Sequence, residues 1–276
     1  MKKTLITFTL AAALLSTSAG VYAVSNVNNP STDKQYTIQV ENTTSENFDI
    51  AKDPTNINKR IEYTKETSLR EDGSEGLIFE SWNNPKTFDT RIDNIIKNNG
   101  NVESYDSTYN KDMGRNIVML KRDKNGNVVS GETEAVNKAG ADYNTSLFSK
   151  NTFVAVKEKY ASSEWTTDGT VVDKDGKTLK KISKTYAVSM TKPTGKDLTK
   201  GAQNQGQMKE IAYLDEATGL PEKVELYETD NNHKMNLVNT KVYEFKYIDT
   251  AGSIYDISGV NLKQLPQFNY NENTVG

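Results

Sequence analysis

From Ile57 onward, apolar and polar residues alternate with a period of two, in runs broken by short polar turns. Successive side chains of a strand point to opposite faces, so this period commits the chain to strands rather than helices. Ile61, Tyr63, Lys65 and Thr67 share one face of a first run, which stops at Glu71-Asp72-Gly73. Leu77, Phe79 and Ser81 then alternate with Ile78, Glu80 and Trp82 until Asn83-Asn84-Pro85. Phe88, Thr90, Ile92 and Asn94 form the next run. Ile117-Val118-Met119-Leu120 is apolar at every position, which predicts a strand covered on both faces. Turn chemistry recurs at Asp123-Lys124-Asn125-Gly126-Asn127, Asp173-Lys174-Asp175-Gly176, Ala217-Thr218-Gly219-Leu220-Pro221 and Asp230-Asn231-Asn232-His233. Consecutive hairpins describe an antiparallel meander, because parallel strands would need crossovers for which no length is left. A polar stretch over 192–206 reads as a loop between two strands.

One segment departs from this pattern. Over residues 148–163, Phe153, Val156 and Tyr160 fall at i, i+3 and i+7, the spacing of one amphipathic helix with Ser149 as its N-cap. The expected fold is mainly β: a curved antiparallel sheet with one or a few helices on its concave face. A cleft between helix and sheet is the natural place for a ligand.

The first 23 residues have the three parts of an export signal. Met1-Lys2-Lys3 is basic, residues 5–15 are apolar but for Thr7 and Thr9, and Val21-Tyr22-Ala23 supplies the small residues of a cleavage site after Ala23. That apolar run is too short to span a membrane, and no run of spanning length follows it. Residues 24–56, rich in Asn, Ser, Thr and Asp, read as a flexible segment with one strand-like island at Tyr36-Thr37-Ile38-Gln39-Val40. The folded domain is expected over 57–265, with a tail over 266–276.

Composition removes several functions. With 34 Lys and Arg against 37 Asp and Glu, the net charge of −3 offers no basic excess for nucleic acid. The absence of Cys excludes disulfides, thiolate chemistry, Cys-held metals and a lipid anchor on Cys. The single His, His233, lies in an Asn-rich turn, away from the orienting carboxylate a general base needs. The segments 123–127 and 173–176 resemble calcium loops only superficially, because Gly falls at the fourth position rather than the sixth. No nucleophile elbow, phosphate loop or zinc-protease signature occurs, so no enzyme, metal or cofactor is expected.

The 14 Tyr, 8 Phe and 2 Trp are what remains to carry function. Most lie within strands, where sheet core is one reading and an apolar groove with phenolic tips is the other. Phe79, Trp82, Phe153, Tyr160 and Trp165 are the candidate lining of a site between helix and sheet.

The stretch Asp215-Glu216-Ala217-Thr218-Gly219-Leu220-Pro221-Glu222-Lys223-Val224-Glu225-Leu226-Tyr227 resembles a strand-turn-strand of the lipoprotein-carrier superfamily. Phe79-Glu80-Ser81-Trp82 with Pro85 and Arg91-Ile92-Asp93 is similar to strands two and three of such proteins, and Ile254-Tyr255-Asp256-Ile257 to their closing strand. The likeness extends over residues 57–262. It implies an incomplete antiparallel barrel closed by helices, with an apolar cavity for acyl chains or an extended peptide. This chain has fewer helices and no anchoring Cys. The implied function is an exported, non-catalytic binding protein for a lipid or other amphiphile. The rival readings are a sensor module that binds a cell-surface protein and, third, a secreted hydrolase.

Overall fold

The computed structural model describes residues 60–149, 152–194, 197–229, 234–249 and 252–268, with 147–149, 188–194 and 197–205 described by backbone alone. The export signal, its cleavage after Ala23, the island at 36–40 and the turn at His233 lie outside the described residues.

Two meanders make one sheet. The first runs β1 (Ile61–Leu69), β2 (Glu75–Asn83), β3 (Thr90–Asn98), β4 (Asn101–Lys111), β5 (Asn116–Arg122) and β6 (Val128–Ala135). The second runs β7 (Thr166–Val172), β8 (Thr178–Thr194), β9 (Asp197–Asp215), β10 (Pro221–Thr229) and β11 (Met235–Ile248). Between them lie α1 (Lys138–Ser149) and α2 (Phe153–Ala161), and the short β12 (Lys263–Gln264) comes last. The strand order is β12-β6-β5-β4-β3-β2-β1-β11-β10-β9-β8-β7, a 12-stranded curved sheet that does not close. All neighbours are antiparallel except β12 on β6.

The meanders join where β1 pairs β11 along its whole length, from Ile61 opposite Ile248 to Leu69 opposite Thr240. This junction dictates both crossings. β6 and β7 stand ten strand spacings of ~4.8 Å apart along the sheet, so the helical segment must traverse one face to connect them. β11 ends in the middle of the sheet, so the C-terminal segment must traverse the other face to reach β6. These are the helix face and the strap face below.

On the helix face, α1 sets Ala141 against Ile117 and Val136. α2 buries Phe153, Val156 and Tyr160, the three positions its spacing selects. Its N-cap is Thr152, whose Oγ1 accepts the Ala155 N–H at 3.2 Å, rather than Ser149. The helix expected over 148–163 is thus the shorter α2, and a second helix, α1, precedes it. α1 escapes notice because the sheet-side residues it buries include Ala141 and Asn144, which give no apolar stripe. The Phe153 N–H also donates to the Glu62 carboxylate at 3.2 Å. Burial pushes the Glu62 carboxyl up to about 7, against the opposing pull of that hydrogen bond and of Lys157.

On the strap face, Ile254 and Tyr255 pack with Ile61 and Trp82, while Ile257, Val260 and Leu262 cover Tyr109, Val118, Leu120 and Val128. The strand expected at 254–257 is thus a strap crossing the sheet in turns. β5 is covered on both faces as its apolar run requires: Val118 and Leu120 lie under the strap, and Ile117 faces α1.

Other departures are local. Phe88 lies outside β3, at φ +60 in a turn that the Asn84 side chain closes by accepting the Lys86 and Thr87 N–H groups. The loop expected over 192–206 is a ribbon, with Thr191 opposite Gln203 and Lys192 opposite Ala202. Backbone pairing carries it, and its polar sequence offers no alternation to read. The turn at 217–221 matches expectation. Gly219 sits at φ +70, and Asp215 Oδ1 accepts the Ala217 and Thr218 N–H groups.

Two outcomes follow from these crossings. A Cβ on Gly131 would stand 2.6 Å from Leu262 Cδ2 and 2.7 Å from Leu120 Cδ2. Both atoms are leucine methyls that can turn aside, so Gly131→Ala should cost at most about 1 kcal/mol in urea unfolding. The bulkier Gly131→Phe should cost about 1–3 kcal/mol, and an unchanged midpoint for Gly131→Phe would show that the strap is not seated there. Glu62 has a folded-state pKa above its unfolded value of 4.5, so its contribution is present at low pH and is lost as pH rises through about 7. Stability should fall by up to ~3 kcal/mol between about pH 5 and pH 8, with Glu62→Gln flattening the slope. Equal slopes in both proteins would place Glu62 in contact with water.

Candidate functional site

The space between helix and sheet is filled by the protein itself. Phe153 is 1% exposed, with its ring edge-on to Phe245 at 5.3 Å and tilted on Tyr247 at 5.0 Å. Tyr160 meets Trp165 at 5.1 Å, and the Trp165 indole N–H donates to the Lys159 carbonyl at 3.0 Å. Phe153 and Tyr160 are therefore core, and the half-buried Trp165 packs against Tyr160. Phe79 lies on the same face of the sheet but opposite Glu66 and Asn94 in register. Trp82 is on the strap face, against Tyr63 at 5.2 Å. The five candidates divide between two faces and do not line one cavity.

The strap face carries a buried polar network instead. Arg91 and Asp93 are two residues apart in β3, hence on one face, and meet as a fork: Nε to Oδ1 at 3.0 Å and Nη2 to Oδ2 at 2.6 Å. The Arg91 guanidinium also lies 4.7 Å from the Trp82 ring centre and donates from Nη1 to the Ile254 carbonyl at 3.4 Å. Tyr105 donates to Asp93 Oδ2 at 2.7 Å. Burial, then the charge of Asp93, holds the Tyr105 hydroxyl above its ordinary range, so it stays a donor.

Arg122 closes β5 beside this network. It is 7% exposed, and donates from Nε to Ser107 Oγ at 2.6 Å, from Nη1 to the Gly126 carbonyl at 2.8 Å and from Nη2 to the Tyr109 hydroxyl at 2.8 Å. Its partners are all neutral; among the described residues no carboxylate forms an ion pair with it. A buried cation is normally matched by a counter-charge, because desolvation costs several kcal/mol.

Where the strap leaves the sheet uncovered, Arg91, Tyr105 and Arg122 open into a groove of about 420 Å³. Ile78, Ile95 and Val102 supply its apolar surface. Lys65, Lys97 and Lys124 add cations, and Glu80 is the carboxylate among the lining residues. Asp93 neutralises Arg91, and Glu75 holds Lys97 at 2.5 Å. Glu80 accepts the Tyr63 hydroxyl at 2.5 Å. Lys65, which stands opposite Glu80 and Glu244 in register, Arg122 and Lys124 keep charges with no ion-pair partner among the described residues. The β5–β6 turn at the groove's rim is fixed by Asp123, whose Oδ1 accepts the Asn125 and Asn127 N–H groups at 2.8 and 2.9 Å.

This arrangement can bind and orient; it presents donors, cations and an apolar surface. Among the described residues, no three His, Cys, Asp or Glu side chains converge as metal ligands, and no helix is long and apolar enough to cross a membrane. Sequence reasoning passed over Arg91 and Arg122 because it sought aromatics. The available signal was an Arg at an inward strand position with an Asp two residues on.

No family model matches the chain, and no curated protein matches it. Among solved structures, a beta-barrel-like protein of the domain of unknown function DUF1849 from Brucella abortus matches at 10% identity, over 70% of this chain and 99% of that one, with a TM-score of 0.21.

Proposed function

We propose that this chain is an exported, non-catalytic binding protein, and that it holds an amphiphilic ligand in the groove of the strap face. The observation that carries this reading is the groove itself: about 420 Å³ of space that joins Ile78, Ile95 and Val102 to unpaired cations. Small-molecule sites have this size and this mixture of apolar wall with a few polar groups. The likeness of 215–227 to lipoprotein-carrier proteins agrees in ligand class. The aromatic packing between α2 and the sheet supports reading the site on the strap face instead.

A second reading, binding of a cell-surface protein, draws on β7. This edge strand is exposed at every position except Val171, with Val172 68% exposed, so its outer backbone edge could receive a partner's strand.

Native mass spectrometry of protein purified from its own host separates the two. A mass above that of the chain by one small molecule, lost on denaturation, is the expected result. A stable complex with another protein and no small molecule would replace the first reading with the second.

A further inference from the structure

We infer that the groove selects ligands by an anionic headgroup, a carboxylate or phosphate, seated against Arg122 and Lys124, with Lys65 adding positive charge along the groove. This rests on the groove being the ligand site and adds the chemistry it recognises.

The argument begins with donors. A guanidinium has five N–H groups, and Arg122 uses three of them on Ser107, Gly126 and Tyr109. One N–H on each of Nη1 and Nη2 is left to donate to an oxyanion. The side chain cannot swing away to look for water, because its three bonds tie it to β4 and to the β5–β6 turn. It also lies 5.6 Å from the Tyr105 ring centre. Its charge is therefore held at the groove wall by the fold, desolvated and unneutralised.

Charge around the groove points the same way. Arg91 and Lys97 have their own carboxylates, which leaves Lys65, Arg122 and Lys124 against Glu80. Glu80 is already engaged by Tyr63. The net local charge is positive although the chain as a whole carries −3. An oxyanion is the group that removes the cost of the unpaired guanidinium; a neutral head leaves that cost in place. The apolar surface of Ile78, Ile95 and Val102 then takes the rest of the molecule.

The chemistry could come from an amphiphile's head or from a free oxyanion, and three probes distinguish them. The purified full chain is titrated calorimetrically with decanoate, decanol and inorganic phosphate. Decanoate should bind at least about tenfold more tightly than decanol, since a charge-assisted pair is lost in the alcohol. Lys124→Gln, on an exposed residue, should weaken decanoate severalfold while leaving decanol unchanged. Arg122→Gln should abolish the preference, and circular dichroism of that variant checks that it folds. Phosphate binding as tight as decanoate would keep the charge selection and make the ligand a free oxyanion. Equal affinity for decanoate and decanol would overturn the inference and leave the binding reading standing. So would failure of every probe while host-derived protein still carries a ligand. Failure of every probe with no host-derived ligand would overturn both.

Discussion

The ladder between β1 and β11 is the constraint on which the rest of this structure depends. Each meander alone has its neighbours in sequence order and needs no crossing. Joined through β1 and β11, they place β6 and β7 toward opposite ends of one open sheet and leave β11 in its middle. The two remaining segments then have one route each. The helices cross one face and the strap crosses the other, and each crossing covers the strands beneath it. The groove lies on the strap face over β1 to β5, where the strap leaves a gap.

The strap is held by polar as well as apolar contacts, and this explains why a polar site can exist beside it. The Arg91 guanidinium and the Lys111 ammonium donate to the carbonyls of Ile254 and Tyr255, at 3.4 and 2.8 Å. Strap carbonyls crossing a sheet face have no ladder partner, so the buried Arg91 and the half-buried Lys111 satisfy them. Asp93 in turn neutralises Arg91, and Tyr105 takes up the remaining capacity of Asp93. Removing one member of such a set leaves an uncompensated buried charge, which is far more costly than the set itself is stabilising. Arg122 differs from Arg91 in just this respect: its geometry is as fixed, but no carboxylate among the described residues pairs with it.

Strands and turns were legible wherever one face of the sheet is apolar. Ile61, Tyr63 and Thr67 show it in β1, and Gly126, Gly176 and Gly219 sit at positive φ where turn chemistry placed them. The β8–β9 ribbon past residue 191 was not legible, because its polar sequence carries no period. α1 was hidden by Ala141 and Asn144, and the strap by the lack of any regular period in a segment that follows the curve of a sheet. The candidate site was half legible. Phe153 and Tyr160 do share a helix face, yet Phe79 and Trp82 are three apart in one strand, and period two alone separates them. Arg91 and Asp93 obey the same rule and could have been paired from the sequence. That Arg122 meets no carboxylate among the described residues could not, since it depends on which strands neighbour β5.

Amide chemical-shift mapping of isotopically labelled protein titrated with decanoate tests most directly where the ligand sits. Shifts gathered on Lys65, Tyr105 and residues 122–126, with α2 unperturbed, are the expected result. Principal shifts on Phe153, Val156 and Tyr160 would instead mean that the helix opens to admit ligand, and would contradict the assignment of the site to the strap face.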